Sequence, residues 1–171
     1  EKKYGRNSKE VRALFQKMRK NDSINQIKVK KILDTQGWPS KKIIGVKGAY
    51  TLFLVIQHAD LHTHIKYLPL ITKAVDSGNL PKSEYAMFYD RLVLGQGKKQ
   101  IYGTQLRVSR ESKNPYVLPI EDVKNVDKRR AEMGLNTMQE NLKRWNLTWS
   151  VEAYLKSLPE IEAKEKINRL K

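Results

Sequence analysis

The chain has no cysteine, which excludes disulfides and thiolate metal sites. It has no apolar run near the roughly 18 residues that a membrane-spanning helix needs; the longest, residues 52–56, suits a short core segment. Acidic residues are scarce, 18 Asp and Glu against 34 Lys and Arg. Walker loop, nucleophile elbow, dinucleotide fingerprint and paired-carboxylate motif are all missing. Covalent catalysis by serine or cysteine therefore has no support. There is no internal repeat and no low-complexity stretch.

What is present fits a water-soluble globular chain. Its 171 residues are 39% hydrophobic and 30% charged, enough for one core, and the length predicts a single domain over 1–171. The net charge of +16 is uneven. Residues 1–50 hold 14 Lys/Arg against 4 Asp/Glu, residues 51–120 hold 9 against 5, and residues 121–171 hold 11 against 9. Such an N-terminal third, with Lys28, Lys30, Lys31, Lys41, Lys42 and Lys47, attracts polyanions: nucleic acid, anionic lipid headgroups or acidic glycans. Lysine outnumbers arginine there and no aromatics interleave as in a base-stacking groove, so its plainest reading is a solvated basic face. The absence of cysteine fits the cell envelope, the exterior or the cytosol. The chain begins at Glu1, as it would after removal of a targeting segment.

Periodicity predicts a mainly α fold, a compact multi-helix domain with one small β-hairpin. Val11, Leu14, Phe15 and Met18 mark a helix over 8–20. Asn21-Asp22-Ser23 offers a cap for a second, running to about Thr35 and stopped by Gly37-Trp38-Pro39. Gly45 and Gly48 bracket a loop before an apolar helix over 49–60. Further helices are expected over 61–76 and from Pro81-Lys82-Ser83-Glu84 to Gly95. Residues 100–108 and 116–120 are β-prone around a polar turn at 109–114 and read as a hairpin. Short helices follow over 121–134 and 136–146. A C-terminal helical tail, about 147–171, is expected to break at Pro159.

Candidate chemistry concentrates in the middle. On a helix through 49–60, His58 shares an apolar stripe with Leu54 and Leu61. Gln57 and Asp60, three apart, can share a centre, and Asp60 can instead cap the next helix. His58 and His62 have two-histidine metal spacing, but the motif glutamate is missing and His62 and His64 read as exposed, so no metal is expected. Asp90-Arg91 reads either as a surface pair or as an anion-binding arginine beside an orienting carboxylate. Gln100, Tyr102 and Thr104 alternate with Ile101, Gly103 and Gln105, a wall of hydrogen-bonding groups. A glycine in the middle of it predicts a positive φ or close backbone contact, with no room for a Cβ. Arg129 and Arg130 read as a solvated face or as partners for a phosphate or carboxylate.

Several of these residues form recurring motifs. Ile-Leu-Asp-x-x-Gly-Trp-Pro (32–39), Gln-His-Ala-Asp (57–60), Tyr-Leu-Pro-Leu (67–70), Asp90-Arg91, Tyr-Gly-Thr-Gln (102–105), Pro-Ile-x-Asp (119–122) and Val-Asp-x-Arg-Arg (126–130) resemble a bacterial family of unknown function over residues 21–142. The resemblance implies no mechanism. It implies an exported or lipid-anchored protein, and it marks His58, Asp60, Asp90, Arg91, Gln100, Tyr102, Thr104, Gln105, Arg129 and Arg130 as a shared polar set, hence one pocket.

Three functional readings follow. The first is a small metal-independent hydrolase or transferase without a cofactor. His58 is its acid or base, Asp60 or Asp90 orients a partner, and Gln57, Arg91, Gln100, Tyr102, Thr104, Gln105, Arg129 and Arg130 bind an anionic substrate. The second is a non-catalytic ligand-binding module of the cell envelope, docked on an anionic surface by its basic third. The third, ranked last, is nucleic-acid binding through the same lysines, without a helix-turn-helix signature.

Overall fold

A computed structural model describes residues 8–108 and 114–169, the side chain of residue 169 excepted. Among these residues are seven α-helices and one two-stranded antiparallel sheet, so the fold is mainly α with a small hairpin. No helix among them is long and apolar enough to cross a membrane. The chain divides into two compact units, Glu1–Asn79 and Leu80–Lys171.

In the first unit, α1 (Lys9–Gln36) is one helix of 28 residues rather than the two expected. Asn21-Asp22-Ser23 lies inside it. The reason is phase: Val11 and Val29 are about five turns apart at 3.6 residues per turn, so the two apolar patterns form one stripe. No glycine or proline intervenes before Gly37. Ser8 Oγ caps the start by accepting from Val11 N–H. At the end Gly37, with φ 67°, donates its N–H to Leu33 O, as the Gly-Trp-Pro stop predicts.

α2 (Lys41–Gln57) starts earlier than its apolar run suggests. Ser40 caps a first turn, the chain breaks helical geometry at Gly45 (φ 72°, ψ 168°), and the helix then continues to Gln57. α3 (Leu61–Asp76) has the expected bounds. α1 packs on α2 and α2 on α3, and Leu33, Phe53, Ile56, Tyr67 and Ile71 are buried. Asp34 accepts from the Tyr67 hydroxyl at 2.9 Å and from Lys66 Nζ at 2.9 Å, tying α1 to α3. Ile32, Trp38, Ile43, Ile44 and Leu52 line an open apolar groove of about 670 Å³.

The second unit opens with α4 (Lys82–Gly95). β1 (Leu106–Val108) and β2 (Pro115–Val117) pair in the register Leu106 to Val117, Arg107 to Tyr116 and Val108 to Pro115. The expected turn falls partly on 109–113, outside the described residues. A 3-10 turn (Val123–Asn125) leads into α5 (Val126–Glu132), then α6 (Met138–Lys143) and α7 (Val151–Arg169). Pro159 sits inside α7 without ending it. A proline forfeits one ladder bond, and here buried Tyr154 and Ile161 hold the helix on both sides. The core joins Val117, Ile120, Val126, Met138, Leu142 and Tyr154. Tyr154 Oη donates to Leu118 O and accepts from Ile120 N–H, while buried Glu165 accepts from Tyr116 Oη and pairs with Arg107, fastening α7 to the hairpin.

Candidate functional site

Gln57, His58 and Asp60 belong to the first unit. The helix carrying them ends at Gln57, so the regular-helix geometry read from the sequence stops one residue short of the histidine. His58 is the C-cap of α2 and is exposed, not part of an apolar stripe. Gln57 is buried. Asp60 is the N-cap of α3: its Oδ1 accepts from Thr63 N–H at 2.7 Å, and that bond holds the carboxyl below its usual pKa. His62 is exposed, but His64, expected on the surface, is buried. No cluster of three or more metal-ligating side chains occurs among the described residues.

The cap has a testable consequence. A carboxyl with a depressed folded-state pKa stabilises above its unfolded pKa and loses that stabilisation as pH falls through the folded value. Asp60→Ala is therefore expected to cost about 1 kcal/mol near neutral pH. The gap to wild type should close as pH drops below about 4. Urea melts at several pH values check this; a constant gap would show that the cap is not the cause.

The other candidates lie in the second unit, gathered around residues 100–105. This segment is a wound loop, not the expected strand, apart from a parallel bridge from Gln100 to Ile120. Side chains take the backbone groups a ladder would have used. Asp90, on α4 and fully buried, accepts at Oδ1 from the N–H groups of Ile101 and Tyr102 at 2.7 and 2.9 Å. Its Oδ2 accepts from Thr104 N–H at 2.9 Å and Thr104 Oγ1 at 2.8 Å. Burial pushes its pKa up, against the pull of these bonds. Gln100, also fully buried, accepts from Gln105 N–H and donates to Gln105 O and Leu118 O.

Two arginines hold the carbonyl side. Arg129 donates to the carbonyls of Ile101, Glu121 and Asp122 and pairs with the Asp122 carboxylate. Buried Arg130 donates to Tyr102 O at 2.7 Å and to Asn136 O at 2.6 Å. Inside the loop, Gly103 has φ 65°, and a Cβ there would lie 2.7 Å from Met138 Sδ and 3.0 Å from Ile120 Cδ1. The expectation of positive φ and no space holds on both counts. Tyr102 is partly buried, and burial, with Tyr85, Asp90 and Tyr89 nearby, raises its pKa.

Two groups stand apart from this saturated network. Arg91 is half-buried. Its Nη2 donates to Gln105 Oε1 at 3.3 Å, its Nε is buried with no hydrogen-bond partner, and no carboxylate pairs with it among the described residues. Burial lowers its pKa. Gln105 is itself held in place, its Nε2 donating to Thr104 Oγ1 at 3.0 Å and to Met87 O at 3.4 Å, so its oxygen faces the arginine. Glu84, which reads in the sequence only as a helix opener, has Oε2 buried without a partner and a pKa raised by burial. Glu84 and Arg91 share a face of α4, two turns and about 10 Å apart along the axis, too far for their backbones to bring them into a standard i, i+4 pair.

Comparison with curated proteins and comparison with solved structures each gave no match. Residues 5–153 match the family of unknown function DUF6624, and since they make up most of the chain, the protein belongs to that family.

Proposed function

We propose that the protein is a binding domain for a small anion of the carboxylate or phosphate class, with Arg91 as its principal contact and Gln105 as the group that aims it. The observation that carries this reading is that Arg91 has no carboxylate partner among the described residues and a buried Nε without a hydrogen-bond partner. A guanidinium removed from water without a carboxylate is costly, and its forked donors match a planar or tetrahedral oxyanion. The loop at 100–105 would serve as a rigid frame, since Asp90, Gln100, Arg129 and Arg130 spend their hydrogen bonds on backbone groups. On this reading Asp90 is a positioning residue rather than a catalytic one.

The test is thermal unfolding with phosphate, sulfate, acetate and succinate at constant ionic strength. A ligand at about 100 times its Kd adds about 2.7 kcal/mol of stability. At least one anion is expected to raise the Tm of wild type saturably. Arg91→Met should abolish that shift while leaving the free protein within about 1 kcal/mol of wild type, because a half-buried charge with no carboxylate partner among the described residues is replaced by an apolar chain of similar length. Arg130→Met should instead cost about 3 kcal/mol, having three acceptors to abandon. Equal losses in the two variants would make Arg91 a structural residue and overturn the reading.

A further inference from the structure

We infer that the N-terminal half of α1 is an interfacial helix that docks on an anionic lipid surface. Val11, Leu14, Phe15, Met18, Val29 and Leu33 of α1 recur at helical spacing and lie within about a 100° sector, with exposed Ile24 and Ile27 outside it. Val29 and Leu33 at one end of this row are buried, as is Val11, but Leu14, Phe15 and Met18 are 59%, 43% and 48% exposed. Between buried Val11 and buried Val29 the helix thus leaves a stretch of this apolar face, residues 14–18, uncovered. Three large apolar side chains in a row on one exposed helix face are a binding surface rather than scattered surface hydrophobics.

Charge selects the occupant. Between residues 9 and 20 the helix has Lys9, Arg12, Lys17, Arg19 and Lys20 against the single acid Glu10. At 100° per residue Arg12 and Arg19 flank one edge of the apolar row, Lys17 flanks the other, and Lys9 and Lys20 occupy the opposite face. A second protein copy would bring the same cations face to face and repel. Nucleic acid would use the cations but leave Leu14, Phe15 and Met18 in water. An anionic bilayer satisfies both features, taking the apolar row into the headgroup–acyl boundary and the flanking Arg12, Lys17 and Arg19 at the phosphate level.

The experiment uses the full chain and co-sedimentation with vesicles of phosphatidylcholine alone or with about 30% phosphatidylglycerol, conditions under which anionic lipid adds to apolar insertion. Partitioning should be at least about tenfold stronger on the anionic vesicles. Leu14→Ser with Phe15→Ser, which leaves the charge unchanged at two exposed positions, should reduce it about tenfold or more. Arg12→Gln with Arg19→Gln, the two cations that flank one edge of the row, should do the same while leaving the apolar row intact. Circular dichroism of each variant keeps loss of folding separate from loss of binding. No preference for anionic vesicles would overturn the proposal, as would binding indifferent to the Leu14/Phe15 change. So would a dimer of the wild type dissociated by that change, which would assign the face to a second copy. None of these outcomes depends on Arg91, so the anion site and the lipid face stand or fall separately.

Discussion

Gly103→Val is expected to destabilise the protein by about 2–6 kcal/mol. Two independent costs add. A β-branched residue held at φ 65° is strained by about 1–3 kcal/mol. Its first side-chain atom would lie 2.7 Å from Met138 Sδ and 3.0 Å from Ile120 Cδ1, so these side-chain ends must shift, and such overpacking costs about 1–3 kcal/mol more. Met138 and Ile120 are fully buried, so relief by movement of one residue displaces others. Lys98→Ala, at an exposed position five residues away, should change stability by less than about 0.5 kcal/mol. Lys99 is a poorer control, because its Nζ pairs with Glu162 at 2.8 Å. Chemical denaturation of the two variants decides the point. Equal stabilities would mean that the loop yields freely and does not form a rigid frame.

Asp90→Ala is expected to cost a similar amount, about 4 kcal/mol, for a different reason. It strands three backbone N–H groups and the Thr104 hydroxyl, donors that the carboxylate now collects, and an unsatisfied buried donor costs about 1–3 kcal/mol. Asp90→Asn should fall between wild type and alanine. Its oxygen can keep the Ile101 and Tyr102 bonds, but its amide nitrogen then faces the Thr104 N–H, donor against donor. The ordering wild type, Asn, Ala in denaturant midpoint is the expected result. Hydrogen exchange should localise the change to the amides of Ile101, Tyr102 and Thr104. An Asn variant as stable as wild type would show that the charge and second acceptor of Asp90 carry no weight.

Much of the helical layout was legible because it rests on periodicity and on residues with one strong preference. The bounds of α3 follow from Asp60 and the apolar pattern, and the stop at Gly37 follows from a glycine free to take positive φ. The continuity of α1 was harder, because Asn21-Asp22-Ser23 mimics a cap. Only the phase relation between Val11 and Val29 shows that one face runs through it. Residues 100–105 misled for the opposite reason. Their β-prone composition suggested a strand, but a strand needs its backbone groups for a partner strand. Here Asp90, Gln100, Arg129 and Arg130, three of them distant in sequence, take those groups first. Gly103 was nevertheless readable, since a glycine among larger residues implies a steric demand whatever the local conformation.

The candidate site divides in the same way. The polar types in Asp90-Arg91 and Tyr102-Gly-Thr-Gln105 marked the right neighbourhood, but residue type does not say which groups end up saturated. Asp90 and Arg91 are adjacent in sequence and lie about 100° apart around the helix. One side chain consequently faces the 101–104 backbone and is used up, while its neighbour faces Gln105 and keeps donors unspent. Glu84 gave no sequence signal, because an acidic residue in the first turn of a helix is expected for reasons of its dipole alone. His58 read as part of a stripe because the end of α2 at Gln57 left no glycine or proline to announce it.

On the reading proposed above, Arg91 has spare hydrogen-bonding capacity awaiting an anion. Nuclear magnetic resonance of the arginine Nε–H groups tests it directly, with each signal assigned by substitution and followed during titration with phosphate and succinate at constant ionic strength. The Arg91 signal is expected to move saturably with at least one of these anions while those of Arg129 and Arg130, already bonded to backbone carbonyls, stay in place. An Arg91 signal that remains fixed while the protein binds the anion elsewhere would contradict it.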